Sequence, residues 1–135
     1  MRFAADGKGT GMKGNKKNPL YKSFGYAFEG IFDCIRNERN MKIHCAAAAL
    51  VSAAGIWLGI SRMEWCVCLI LFGLILGLEM VNTAIEAVTD LVSEEYHPLA
   101  KKAKDTAAGA VLIAAIAAGV IGVIIFLPRL LEILP

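Results

Sequence analysis

Residues 79–90 read EMVNTAIEAVTD and follow WCVCLILFGLILGL, a run without charge from Trp65 to Leu78. Four side chains in the later stretch could do chemistry: Glu79, Asn82, Glu86 and Asp90, at spacings of 3, 4 and 4. On a helix that spacing confines them to roughly 80° of arc, a single stripe. A helix entering lipid near Trp65 would carry Glu79 about 21 Å inward and Glu86 about 32 Å. The hydrocarbon layer is about 30 Å thick. The stripe therefore starts inside lipid and climbs out to water at Asp90. A carboxylate turned to lipid would be expensive, so Glu79 must face a partner or a wet cleft. A carboxylate there suits a general base that takes the proton of a hydroxyl presented from the lipid side.

Further charge falls at the depth of Glu86. Glu38, in IRNERN, precedes the first apolar segment, and Lys104-Asp105 precedes the last. Carboxylates with lysine at a membrane surface suit a divalent cation and phosphates. Mg²⁺ takes one or two carboxylates together with phosphate oxygens, and lysine neutralises phosphate as a point charge. The bland alternative makes Glu79 and Asn82 interhelical glue and leaves Glu86 and Asp90 as a solvated helix end.

Three apolar segments must position these groups: about 43–61, 64–92 and 98–127, the last stopping at Pro128. With 57% apolar residues against 19% charged, the chain reads as a membrane protein. It is expected to be all-α, with an N-terminal helix and three spans. Residues 18–135 form one domain behind a basic tail, 1–17. Asn18-Pro19 is a good helix start, with Asn18 as cap and Pro19 in the first turn. From there Leu20, Phe24, Ala27, Phe28, Ile31 and Ile35 share one face, opposite Lys22, Glu29, Asp33 and Arg36. That amphipathic helix, about 19–37, fits a membrane interface; packing on another protein helix is the competing reading. The Ala-rich first span, and Gly73 and Gly77 in the second, read as close-packing faces. Of the fourteen Lys and Arg, only Arg62 and Arg129 lie on the far side of the spans. This asymmetry places the N-terminus, the SEEYHPLAKKAKD loop and the stripe's polar end in the cytoplasm.

Other features carry less. GKGTG in the tail lacks the full phosphate-loop spacing and no strand precedes it. The first twenty residues have no secretory-signal core. The four cysteines, Cys34, Cys45, Cys66 and Cys68, form no CxxC pair and read as small buried hydrophobes. His44 reads as an interfacial anchor and His97-Pro98 as a helix break. A net charge of +2 without a basic stripe gives no footprint for nucleic acid.

ExxNTAIExxxD followed by EYHPLAKxAKDxAAGAV resembles the small prokaryotic diacylglycerol kinase and undecaprenol kinase family, as do FGYAFEGI and NERNMKIH. The likeness covers about residues 19–128 and is nearest the Gram-positive, undecaprenol-using form. It implies a homotrimer with active sites between subunits that phosphorylates a lipid alcohol with ATP and Mg²⁺ in the cytoplasmic membrane. Carried over, Glu79 is the catalytic base and contacts the lipid substrate. Glu38 and Glu86 bind metal and nucleotide. Tyr26, Glu95, His97, Lys104 and Asp105 contact the nucleotide, and Asn82 and Asp90 order the site. The chain departs from the diacylglycerol-type members at Pro19, which stands where they have an arginine near the start of the surface helix. Two other classes remain open from the residues themselves. A proton-coupled transporter could use an intramembrane Glu, but has no evident need of Glu38, Lys104 and Asp105. A structural adaptor would explain the packing glycines and not the stripe.

Overall fold

The computed structural model describes residues 19–93 and 95–133. The basic tail, the GKGTG stretch and the Asn18 cap lie outside them. Four helices follow in order: α1 (Leu20–Asn37), α2 (Arg39–Leu58), α3 (Arg62–Val92) and α4 (Pro98–Ile133). Among the described residues there is no strand. The last three helices are long and apolar enough to cross a membrane. At 1.5 Å per residue, α2 just matches a hydrocarbon layer of about 30 Å, whereas α3 and α4 exceed it by several turns. Those extra turns carry the charged ends of both helices.

Helix boundaries follow local chemistry, with departures from the sequence expectation at Pro19, at the first span and at Pro128. Pro19 stands at the N-cap position of α1 and makes no side-chain capping bond. One extended residue, Glu38 (φ −90°, ψ 125°), separates α1 from α2. The first span thus begins at Arg39, ahead of the expected 43. It ends at Leu58 because Gly59 turns left-handed at φ 63°, a conformation open to glycine without strain. The N–H of Ile60 then returns to the Gly55 carbonyl at 3.1 Å, closing a Schellman-type stop. A Cβ on Gly55 would meet Ile60 Cδ1 and Trp65 Cζ2 at 3.0 Å each, so any larger residue there must push those two side chains aside.

Ser61 and Glu64 form a reciprocal capping box that starts α3. A further departure is at Pro128. α4 does not stop there but continues to Ile133 with the proline inside it. A proline removes one helix hydrogen bond, and a contact remote in sequence secures the turn beyond it. The Arg129 guanidinium grips Glu64 through two 2.7 Å bonds and donates a third, at 2.9 Å, to the Ile125 carbonyl.

The largest helix–helix interface joins α3 to α4; α2 lies on α3 and touches α4 less. Near the Arg129 end, Ile60, Cys68 and Ile125 are buried together with Trp65, Phe72 and Phe126 packed against them. The opposite end carries the stripe.

Candidate active site

All four stripe residues lie within α3, and their burial falls stepwise along it. Glu79 is 2% exposed and Asn82 4%; Glu86 is half-buried and Asp90 exposed. The deep end of the stripe is thus packed against the bundle and its far end is free of it. The same α3 face continues away from the charged end as Ile75, Phe72 and Cys68, which line a cavity of about 300 Å³ between α2, α3 and α4. Its other walls include Ala47 and Ala48 of α2 and Ala115, Ala118, Gly119 and Gly122 of α4, with His44 also lining it. Small residues of α2 and α4 thus wall an apolar trough that reaches Ile75 and Leu76, one turn before Glu79.

The polar contacts are directional. Asn82 Nδ2 donates to Glu86 Oε1 at 3.0 Å. A carboxylate only accepts, so this bond sets which way the amide faces and leaves Asn82 Oδ1 buried without a donor. The Thr83 hydroxyl donates to the Glu79 carbonyl at 3.0 Å. Among the described residues nothing donates to the Glu79 carboxylate, so its oxygens remain available to a hydroxyl. Lys104 of α4 pairs with Asp90 of α3, and Asp105 pairs with Lys101 one turn earlier. Asp90 therefore holds Lys104 beside the polar end of the stripe.

The remaining residues are placed by element ends. Glu38 is half-buried at the α1–α2 break. It occupies the N-cap of α2 but makes no side-chain capping bond, which leaves its carboxylate uncommitted. His97 accepts the Leu99 N–H on Nδ1 at 3.2 Å, capping α4 from the side and leaving Nε2 outward. Glu95 and Tyr26 are exposed, the latter on α1. The structure thus brings Asn82 to Glu86 and Asp90 to Lys104, while Tyr26, Glu95 and His97 make no hydrogen bond or ion pair with the stripe among the described residues. No group of three or more His, Cys, Asp or Glu is gathered as a metal cage among the described residues. Glu38 and Glu86 are hard oxygen donors with uncommitted oxygens, which fits an ion that takes a carboxylate or two and completes its shell with phosphate and water.

Two of the contacts that escaped the sequence reading differ in how far they could have been foreseen. Lys101 and Asp105 stand four apart on one helix, a spacing that would have disclosed their pairing. Cys34 gave no such signal. It is buried, 5% exposed, and its sulfur lies 3.7 Å from Thr83 Oγ1. Burial, with Glu38, Glu79 and Asp33 nearby, pushes its thiol above the ordinary range. Cys68 is likewise buried, whereas Cys45 is half-buried and Cys66 exposed, so the buried-hydrophobe reading describes two of the four cysteines.

The chain matches the family described as prokaryotic diacylglycerol kinase over residues 25–126. The chain belongs to that family. It is 46% identical over 116 residues to an undecaprenol kinase of Bacillus subtilis, covering 86% of this chain and 94% of that one. It is 42% identical to a diacylglycerol kinase of Synechocystis, covering 85% and 66%. With the diacylglycerol kinase of Escherichia coli the identity is 33%, covering 73% and 81%. This family member is therefore a lipid kinase carried by membrane-spanning helices, a multi-pass membrane protein and not a soluble one.

Proposed function

We propose that this chain phosphorylates the primary hydroxyl of a polyprenol, undecaprenol foremost, using ATP and Mg²⁺ at the cytoplasmic face of the membrane. The observation that carries this reading is a buried, undonated carboxylate, Glu79, one helical turn beyond Ile75 in the wall of an apolar trough. A tail lying in the trough would present its hydroxyl to that carboxylate. Glu79 takes the hydroxyl proton while the oxygen attacks the γ-phosphorus and ADP leaves. Such a transfer depends on positioning and charge neutralisation more than on covalent chemistry.

The other groups serve the phosphates. Glu38 and Glu86 would hold Mg²⁺, which supplies neutralising charge when bound. Lys104, held by Asp90, meets a phosphate oxygen. Tyr26, Glu95, His97 and Asp105 contact the nucleotide, and Asn82 orients Glu86. The basic residues gathered toward the N-terminus and before α4 support a cytoplasmic site. On this reading α1 lies in the interface with Tyr21, Phe24, Phe28 and Phe32 toward lipid, and three copies assemble so that sites form between subunits. The extent of the likeness to the Bacillus subtilis undecaprenol kinase, nearly the full length of both chains, supports a polyprenol over diacylglycerol. The small Ala and Gly walls of the trough suit a branched isoprenoid chain.

Competition between undecaprenol, shorter polyprenols and diacylglycerol at equal surface concentration, with ATP and Mg²⁺ in mixed micelles, tests the reading. Undecaprenol should show the highest kcat/KM. Preference for diacylglycerol would keep the chemistry and overturn the substrate.

A further inference from the structure

Every residue of α1 is exposed except Cys34, which is buried, and Ile31, which is half-buried. Among the described residues Cys34 is thus the one α1 side chain buried against the bundle. There Cys34 Sγ meets Thr83 Oγ1 of α3 at 3.7 Å, within reach for a sulfur hydrogen bond. Thr83 has one hydroxyl hydrogen, and it goes to the Glu79 carbonyl. The thiol must therefore be the donor and Thr83 the acceptor. The result is one directed chain, from the Cys34 S–H through the Thr83 hydroxyl to the backbone of Glu79. Bonds in such a chain polarise and reinforce one another.

Its place gives it a role. On α3, Thr83 stands between Glu79, one turn before it, and Glu86, three residues after it. On α1, Cys34 stands one turn before Glu38, whose N–H bonds to the Cys34 carbonyl at 2.9 Å. Docking Cys34 on Thr83 thus sets the depth of Glu38 against both α3 carboxylates. We propose that Cys34 and Thr83 are positioning residues whose contact latches α1 onto the Glu79 turn, so that the base and Glu38 are brought into register together. This rests on Glu79 and Glu38 acting as described above. α1 joins α2 through the extended residue Glu38, and this contact sets its height against α3.

The test pairs kinetics with thiol labelling. Thr83→Val keeps the side-chain shape and removes the hydroxyl. Because displacement of a positioned group by about an ångström can cost up to about a hundredfold in rate, kcat should fall by at least about tenfold while the KM for lipid stays near that of the wild type. Thr83→Ser should restore kcat. In the same micelles, without nucleotide, Cys34 in Thr83→Val should react several-fold faster with N-ethylmaleimide, as resolved by peptide mass spectrometry, while Cys66 reacts at its wild-type rate. Unchanged kcat, or an unchanged Cys34 rate, overturns the latch. Should Thr83→Val fail to fold, Cys34→Ala stands in for it: wild-type kcat and wild-type Mg²⁺ dependence there overturn the proposal equally. The labelling arm does not depend on the substrate, so faster Cys34 labelling in a protein that phosphorylates no lipid would sustain the latch and sink the kinase reading alone.

Discussion

Replacing Glu79 by Gln keeps the size of the side chain and removes its basicity. A positioned base contributes typically 10²–10⁴-fold, which at 1.36 kcal/mol per tenfold is about 3–5 kcal/mol of barrier. The structural penalty is smaller. Glu79 is 2% exposed, and nothing among the described residues donates to its carboxylate. A glutamine amide there gains two N–H donors in a dry place, and an unsatisfied buried polar group costs about 1–3 kcal/mol. The rate loss should therefore exceed what destabilisation explains. The assay is the initial rate of lipid phosphorylation by purified protein in micelles, alongside thermal unfolding and ATP binding. Turnover should fall at least about a hundredfold with assembly and ATP binding largely intact. A loss below about tenfold, or a loss that tracks unfolding, would refute Glu79 as base.

Glu38→Gln and Glu86→Gln should each raise the Mg²⁺ concentration needed for activity, and the double variant should be non-additive because both act on one ion; wild-type metal dependence in the single variants argues against the assignment. Gly55→Ala would put a Cβ 3.0 Å from both Ile60 Cδ1 and Trp65 Cζ2. Overpacking of this kind costs about 1–3 kcal/mol, read as a lowered thermal midpoint; an unchanged midpoint would show that Trp65 can move aside. The Cys34 thiol is raised above its ordinary 9.0, first by burial. A raised folded-state value means that its stabilisation is complete below the unfolded value and lost as pH rises through the folded one. The thermal midpoint of the wild type should therefore drop more steeply above about pH 9 than that of Cys34→Ser, and parallel curves would contradict this.

Much of the architecture was legible because helix formation in an apolar layer is a local matter. With few side-chain partners in lipid, the backbone must satisfy itself, and helices follow wherever apolar runs are long enough. The spacing of Glu79, Asn82, Glu86 and Asp90 fixes a common face once a helix exists, and the rise per residue fixes their order of depth. Along that face the side chains go from buried at Glu79 and Asn82 to exposed at Asp90, and the Asn82–Glu86 bond lies within one turn of that helix. Boundaries that depend on neighbours were another matter. Pro128 reads as a stop by propensity, yet the helix passes through it because Arg129 finds Glu64, 65 residues away, on α3. Lys104 meets Asp90, and Cys34 meets Thr83, only because α4 and α1 dock on α3 at a particular crossing and height. Periodicity states which face a residue occupies and its depth along one helix. Which faces meet, and at what relative height, is decided by the packing of whole helices against one another, and so the Cys34–Thr83 and Arg129–Glu64 contacts became visible only in the tertiary structure.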